Sequence, residues 1–528
     1  MTLCPAKILE EGKNLRYLRK LSLFRCPDLA QLYFKIYLAM KGLHFALRIF
    51  SFLLAFTLIL CCAVNPVTGK KQIMLMSEDQ EAQLGLSYDP QVVATFGEYQ
   101  TVSLLPFIQG KETEMGKVSH RPNIEYHVRI LDSPVVNAFA VPGGYIYLTR
   151  GILAQLNNEA ELMGILGHEM GHIAARHSVS QQSKQQLGQL LLIGGMIASQ
   201  KFAQYAEYAM QGMQLLFLKF SRDDERMADA LGVEYSSKLG YDAHKMADFF
   251  KVLQKMSLAD GQAGVPTFLS THPDPGDRYN SVNQEAKVWQ DSLKIASWKV
   301  NGDSYLKMID GMVYGEDPRK GYVEGNTFYH PELKFRFAFP SGWKLENTPA
   351  QVNIAPDDGK ALIVFTLASG KSLNDAARKT IEQLELTLKE SKNTTVGKMP
   401  ALRTLSDQVN TDQITGEKKT NKVLSYFIQC DSLYYVFHGI TAATNFNTYD
   451  RSFESTMADF SRLTDPAKLK VKSKKILVKK VQRAGTLGDV FTYYGVKQDQ
   501  RDDLALLNDM ELADKVQAGK LIKIIGEQ

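Results

Sequence analysis

Residues 162–177 read LMGILGHEMGHIAARH and contain the pattern H-E-x-x-H, in which His168, Glu169 and His172 are the fixed positions. Side chains four residues apart lie on the same face of an α-helix, so the two imidazoles can bind a single metal ion. Upstream, Asn158 is a suitable helix N-cap, acidic residues follow it, and apolar residues recur at helical spacing. The pattern therefore predicts a helix with two metal ligands, on which Glu169 can accept a proton from a water molecule at the metal.

A metal site with two histidines needs a third protein ligand and an open position for water or substrate. Residues 221–229 read SRDDERMAD, in which Glu225 and Asp229 are four residues apart. Glu225 is the candidate third ligand, and Asp229 is placed to accept a hydrogen bond from the free N–H of His168. This donor set suits Zn²⁺ better than other metals. The alternative is a pair of ordinary histidines on a buried helix, with Glu169 as an ion-pair partner.

The sequence HEMGH followed by S-R-x-x-E-x-x-A-D resembles the M48 family of zinc metalloendopeptidases, which are gluzincins. Two other segments are similar to that family: NAFAVPGGYIYLTRG at residues 137–151, and STHPDP at residues 270–275 followed by Arg278. The resemblance spans roughly residues 75–290. It implies one Zn²⁺ per chain, held by His168, His172 and Glu225, and the hydrolysis of peptide bonds.

His272 lies in a segment with turn-forming residues, so helix geometry does not fix its imidazole. The resemblance places this segment near the zinc. There His272 would either stabilise the oxyanion of the tetrahedral intermediate or occupy the open metal position in a resting state. A turn histidine with a structural role alone is the alternative.

Gly143 and Gly144 precede a predicted strand at residues 145–148. If this strand forms the edge of a sheet, the two glycines and Tyr145 can let a substrate backbone approach closely. The alternative interpretation is a hairpin turn without a binding role.

The chain has 528 residues, too many for one core, and its length suggests about three domains. Residues 1–61 hold nine Lys or Arg against three Asp or Glu, so the formal net charge of +5 is concentrated there. The remainder is close to neutral, and nucleic acid is not an expected partner.

An apolar run at residues 49–60 has the length of the hydrophobic part of a signal peptide and is too short for a spanning helix. It leads into Cys61 and Cys62 and resembles a bacterial lipoprotein signal with Cys62 as the lipidated cysteine, although Cys61 stays open as the alternative. Residues 1–61 are therefore the expected signal segment, with Met40 a possible true start. An uncleaved membrane anchor is the other interpretation. Export fits the cysteine count, because only Cys430 would remain as a free thiol.

The expected fold class is α+β, with a mainly helical gluzincin-type domain and a small sheet at residues 62–300. A linker is expected at residues 301–324, and a strand-rich α+β accessory domain at residues 325–466. A lysine-rich linker is expected at residues 467–480. Residues 481–528 resemble a LysM-like module with β-α-α-β order, which implies possible contact with peptidoglycan.

These features predict a lipid-anchored zinc endopeptidase at the periplasmic face of the bacterial envelope, as an outer-membrane lipoprotein. By resemblance, its polypeptide substrates are misfolded or misassembled envelope proteins. A second hypothesis is an assembly factor or chaperone that keeps the protease fold but holds clients through residues 325–528. A third is an adaptor anchored to the cell wall.

Overall fold

The computed structural model describes residues 62–196, 220–259, 267–273, 277–411 and 418–527. The expected signal segment, residues 1–61, lies outside the described residues. Within the described parts, no helix is both long enough and apolar enough to cross a membrane. Residues 62–64 and 71–75 form a small unit, in which strand β1 (Cys62–Val64) pairs antiparallel with strand β2 (Lys71–Ile73).

The second unit comprises residues 65–70 and the chain from Met76 onward. Its first region, residues 76–309, is mainly helical with a three-stranded sheet. The elements in chain order are α1 (Glu78–Phe96), α2 (Leu104–Val118), β3 (His127–Leu131), β4 (Ala138–Val141), β5 (Tyr145–Thr149), α3 (Arg150–Gln155), α4 (Glu159–Ala174), α5 (His177–Met196), α6 (Arg222–Lys238), α7 (His244–Ala259), α8 (Thr267–Thr271), α9 (Arg278–Leu293) and α10 (Gly302–Ile309).

Helix α4 carries the H-E-x-x-H pattern, and every one of its residues is buried. Asn158 is its N-cap, with a side chain that accepts a hydrogen bond from the backbone N–H of Glu161. Glycines on α4 allow α6 to pack closely against it: a Cβ at Gly167 would lie 3.0 Å from the Cα of Gly232. Because the two helix backbones are so close, side chains at the start of α6 reach the histidines of α4.

Strand β5 is the central strand of the sheet, with β3 parallel on one side and β4 antiparallel on the other. The expectation that residues 145–148 form an edge strand is therefore wrong. Parallel pairing with β3 is non-local, and nothing in the sequence near Tyr145 specifies it.

Gly143 and Gly144 form the tight turn between β4 and β5, with φ angles of 86° and 94° that favour glycine. A Cβ at Gly143 would lie 2.8 Å from the backbone oxygen of Glu81 in α1, and one at Gly144 would lie 2.1 Å from that of Glu125. The hairpin interpretation thus accounts for both glycines, because the backbone that approaches them closely is that of Glu81 and Glu125 in this chain. The Tyr145 ring packs against α1 as well, 2.8 Å from where a Cβ on Gly85 would lie.

The second region, residues 322–462, contains two antiparallel sheets around an aromatic core. A seven-stranded sheet has the order β12-β13-β14-β15-β11-β10-β9, and a four-stranded sheet has the order β16-β8-β7-β6. The elements are β6 (Tyr322–Glu324), β7 (Thr327–His330), β8 (Phe335–Ala338), β9 (Trp343–Asn347), β10 (Val352–Pro356), β11 (Ala361–Ala368), α11 (Leu373–Gln383), β12 (Thr387–Val396), β13 (Met399–Thr411), β14 (Lys418–Cys430), β15 (Leu433–Ala442), α12 (Phe446–Ala458) and β16 (Ser461–Arg462).

The third region, residues 466–527, contains two helices between paired strands. Its elements are α13 (Pro466–Leu469), β17 (Lys474–Lys480), β18 (Gly485–Thr486), α14 (Leu487–Tyr493), α15 (Arg501–Leu507), β19 (Lys515–Val516) and β20 (Leu521–Glu527). Strand β17 pairs antiparallel with β20 along its whole length.

Both expected linkers contain packed structure. In the segment 301–324, α10 buries Tyr305 in the core of the first region, and the Tyr305 hydroxyl donates to the backbone oxygen of Leu153. In the segment 467–480, β17 buries Ile476 completely in the same core. These segments were mistaken for linkers because glycines and lysines outnumber their few buried apolar residues.

Candidate metal centre

Four buried side chains from three parts of the chain converge on one point. Their possible metal-ligand atoms all lie within 4.8 Å of one another, and the residues are His168, His172, Glu225 and His272. The Nε2 atoms of His168 and His172 are 3.1 Å apart, and they lie 3.5 and 3.6 Å from the Glu225 carboxylate oxygens. Tetrahedral zinc with bonds of about 2.0–2.2 Å separates its ligand atoms by about 3.3–3.5 Å. The donor set and its spacing therefore fit Zn²⁺.

Helix α6 brings Glu225 into this cluster through its capped start. Ser221 and Asp224 form a capping box, each accepting a hydrogen bond from the other's backbone N–H. Glu225 follows in the first turn, and its side chain is fully buried against α4. The structure thus unites the three residues that the sequence predicts as metal ligands.

The imidazole of His168 is oriented by a chain of charged partners. Its Nδ1 lies 2.9 Å from Oδ1 of Asp229, as the sequence predicts, so Nε2 is left to face the metal position. Arg278 holds the same carboxylate with two hydrogen bonds, of 2.9 Å from Nε and 2.5 Å from Nη2. Burial opposes ionisation of Asp229, but Arg278 and His168 outweigh it and lower its pKa. Asp229 is therefore an anion that favours the metal-binding tautomer of His168.

The other ligand histidine, His172, has contacts that the sequence did not predict. Its Nδ1 lies 3.0 Å from Nδ1 of His177, and the ring of Phe220 stacks on it with centroids 4.0 Å apart. Burial lowers the pKa of His177 to about 4, so this imidazole is neutral at pH 7 and can accept or donate one hydrogen bond. His177 orients His172 much as Asp229 orients His168. The only signal in the sequence was its position five residues after His172.

Arg278 is the second residue whose role sequence reasoning missed. The sequence places it after the segment that resembles the M48 family but assigns it no function. Its guanidinium lies 3.9 Å from the ring centroid of Phe250, a stacking contact that holds it beside Asp229.

Glu169 is buried beside the cluster without a hydrogen-bond partner. Within the described part of the chain, neither of its carboxylate oxygens has one, and the residue has no exposed surface. Burial raises its pKa, partly offset by nearby His272 and His168. Such a carboxylate is costly unless water, metal or substrate completes its contacts. Its position is that of a group that handles a proton at the centre.

His272 ends helix α8 and belongs to the same cluster. Its Nδ1 lies 3.1 Å from Oε1 of Glu225 and 3.2 Å from Nε2 of His168. Its Nε2 lies 3.7 Å from Oε1 of Glu169, and its ring stacks on Phe268. The segment that the sequence predicted as a turn therefore places this imidazole among the ligand atoms.

The site combines two histidines four apart on one helix, a glutamate from a second helix and the buried Glu169 without a hydrogen-bond partner. This combination matches the metallopeptidase centres of the gluzincin class. Residues 108–286 match the model of Peptidase family M48. These residues are therefore similar to the M48 zinc metalloendopeptidases, and the buried cluster within them fits zinc as the cofactor.

Similar proteins occur in mitochondria and bacteria. The chain is 30% identical over 182 residues to mitochondrial metalloendopeptidase OMA1 of Arabidopsis thaliana, a match that covers 34% of this chain and 35% of the relative. It is 26% identical over 231 residues to the beta-barrel assembly-enhancing protease of Yersinia pestis, covering 42% and 47%. The corresponding Escherichia coli protein is 25% identical with the same coverage. The chain therefore spans less than half the length of these relatives.

Matches to solved structures are weaker. The solution structure of cyanobacterial PsbP from Synechocystis has 10% identity and a TM-score of 0.23, over 26% of this chain and 94% of that one.

Proposed function

We propose that this chain is a zinc-dependent endopeptidase that hydrolyses peptide bonds of misfolded or misassembled cell-envelope proteins. The observation that carries the catalytic part is the buried carboxylate of Glu169, which has no hydrogen-bond partner in the described part of the chain and lies beside the ligand atoms of His168, His172 and Glu225. The cellular part is supported by the similarity to the bacterial beta-barrel assembly-enhancing proteases.

His168, His172 and Glu225 would hold the ion. Bound Zn²⁺ supplies Lewis acidity, polarising the peptide carbonyl and lowering the pKa of water. Glu169 takes a proton from the attacking water and later transfers it to the leaving amine. Because burial raises the pKa of Glu169, the carboxyl can hold that proton between the two steps. Asp229 and His177 keep the two imidazoles in the orientations that this arrangement requires.

We assign His272 to the fourth ligand position of the resting site. Its Nδ1 is as close to Glu225 and His168 as the predicted ligands are to each other. Substrate entry then requires the imidazole to withdraw, and from a nearby position it can donate a hydrogen bond to the developing oxyanion.

The decisive variant is Glu169→Gln, which keeps the side-chain shape but removes the proton acceptor. We expect zinc to stay bound while casein cleavage falls by a factor of about 10²–10⁴. Glu114→Gln, on the exposed face of α2, is the control and should leave both properties unchanged. Full peptidase activity in Glu169→Gln would overturn the mechanism.

His272→Ala separates the two roles of the histidine. Higher casein cleavage with unchanged zinc content identifies a ligand that keeps the site latent, and lower cleavage identifies an oxyanion donor. Zinc binding without cleavage in the parent and in His272→Ala would instead favour a protein that holds clients without cutting them.

The proposal also includes a location at the periplasmic face of the envelope, with lipid on Cys62 and a LysM-like module at residues 481–528 able to contact peptidoglycan. The apolar run at residues 49–60 followed by Cys61 and Cys62 supports the lipid anchor. Metabolic labelling with a radioactive fatty acid tests it: Cys62→Ser should abolish incorporation, and Cys61→Ser should not. The reverse result would move the lipid to Cys61.

A further inference from the structure

The last strand of the chain sends a buried lysine into the first region. Lys523, on β20, has no exposed surface. Its Nζ donates to three consecutive backbone oxygens, those of Ala154 at 2.8 Å, Gln155 at 3.3 Å and Leu156 at 3.0 Å. An ammonium group has three donors, and here each one has its own acceptor.

These three oxygens lie at the end of α3, immediately before the metal-binding helix α4. The last carbonyl groups of a helix lack partners within that helix, so a cation there supplies hydrogen bonds and a favourable charge. Glu161 fixes the connection on its other side, accepting hydrogen bonds of 2.6 Å from the backbone of Asn157 and from Nδ2 of Asn158. The connection between α3 and α4 is thus held by Lys523 at the end of α3 and by Glu161 in the first turn of α4.

The position of Lys523 is itself fixed within the third region. The side chain of Asn508 accepts a hydrogen bond from the backbone N–H of Lys523 at 2.7 Å and donates one to the backbone oxygen of Lys523 at 2.9 Å. Strand β20 also pairs along its length with β17, which buries Ile476 in the core of the first region. These contacts fix the backbone of Lys523, and therefore the point from which its side chain extends to α3.

We propose that Lys523 is a positioning residue for the metal-binding helix, and that the third region thereby completes the peptidase domain. This inference rests on the proposed peptidase function. His168 lies ten residues beyond Asn158, about 15 Å along the helix axis, so a small tilt at the start of α4 displaces the ligand atoms. Misplacement of a catalytic group by about 1 Å can reduce the rate about 100-fold.

The cost of burying this charge argues against a role in packing alone. Burial lowers the pKa of Lys523 to about 7, although the carboxylates of Glu161 and Asp509 act in the opposite direction. An apolar side chain would fill the same space without this cost. The ammonium group supplies three hydrogen bonds to the end of α3, and a methionine side chain at this position cannot form them.

The test compares Lys523→Met with Lys523→Arg in the full chain, and Lys515→Met on exposed β19 is the control. For folded Lys523→Met we expect kcat on a casein peptide to fall about 10- to 100-fold with KM changed less than about twofold. Zinc affinity, measured by competition with a chelator, should fall, and amide hydrogen exchange at residues 154–161 should become faster. Lys523→Arg should recover most of each property, and Lys515→Met should match the parent.

A folded Lys523→Met with the kcat, zinc affinity and exchange of the parent would overturn the proposal. If that variant does not fold, native-state exchange of the parent in denaturant decides instead. Residues 154–161 and Leu521–Glu527 should then open as one unit, and independent opening would refute the coupling. If the parent fails to cleave casein, the proposed function fails, but zinc affinity and exchange still decide the role of Lys523.

Discussion

Replacing Arg278 with methionine would test how much the zinc site depends on a buried guanidinium that holds Asp229 and lies 3.7 Å from a carboxylate oxygen of Glu225. Methionine keeps an apolar side chain against Phe250 but removes both hydrogen bonds to Asp229. Only 4% of the Arg278 side chain and 8% of the Asp229 side chain are exposed, so solvent offers little compensation. Removing one partner of such a pair costs about 3–5 kcal/mol. We expect that loss in the free energy of unfolding of the zinc-free protein.

The same variant should weaken zinc binding. Without Arg278, Asp229 loses the charge that keeps its pKa low and its carboxylate in place beside His168. Loss of a partner outside the metal ligands typically costs about 10- to 100-fold in metal affinity. Competition with a chelator measures this change, and denaturant unfolding of the apoprotein measures the stability.

A double variant identifies the cause. Arg278→Met combined with Asp229→Asn removes the carboxylate that loses its two hydrogen bonds to Arg278, so stability should recover by more than half of the loss. Zinc affinity should stay low, because a neutral amide polarises His168 less than a carboxylate. Parent-like zinc affinity in Arg278→Met would refute the orienting role, and an unchanged stability would refute the energetic importance of the pair.

Two further predictions concern positions outside the metal centre. Burial raises the pKa of Glu112 from 4.5 to about 7, so its contribution to stability is complete below pH 4.5 and is lost as pH rises through 7. Glu112→Gln should match the parent at pH 4 and exceed it by up to about 3 kcal/mol at pH 8, as measured by denaturant unfolding. An unchanged pH dependence would contradict this. Gly144→Ala should lower the melting temperature sharply, because the added Cβ would lie 2.1 Å from the backbone oxygen of Glu125. Gly311 is the control: its φ is also positive, at +80°, but the space around it is open. Gly311→Ala should therefore cost only about 1 kcal/mol of backbone strain. Equal losses in the two would argue against the steric explanation.

The part of the site that the sequence could predict is the part set by local geometry. The Asn158 cap, the spacing of His168 and His172, and the spacing of Glu225 and Asp229 all follow from one helical repeat. Their convergence required only that two amphipathic helices with small residues pack together. Zinc, the similarity to the M48 family and the pairing of His168 with Asp229 followed from the same residues.

What the sequence could not predict depends on contacts between distant residues. Arg278 meets Asp229 across 49 positions, and Lys523 meets Leu156 across 367. The central place of β5 depends on parallel pairing with β3, which leaves no local signal. Strand β17 was expected to be a linker because four of its seven residues are lysines, although Ile476 anchors it in the core.

Both ends of the metal-binding helix α4 are also held by polar contacts between residues that are far apart in the sequence. At its start, the Glu159 carboxylate accepts hydrogen bonds from Tyr241, Asn301 and Ser304. Beyond its end, Arg176 donates to Glu81 at 2.9 Å.

A helix fixed at both ends cannot adjust its ligands freely when substrate arrives. If His272 is the fourth ligand, as proposed above, opening of the site then comes from the side that carries His272. There His272 follows a five-residue helix, its ring stacks on Phe268, and its nitrogen atoms lie close to His168, Glu225 and Glu169. Two of the hydrogen bonds from that short helix reach the chain before β4: the backbone N–H of Phe268 donates to the oxygen of Val136, and the Thr271 hydroxyl donates to Asn137. Both partners lie just before β4, so a polypeptide that binds along β4 would disturb the support of His272 directly.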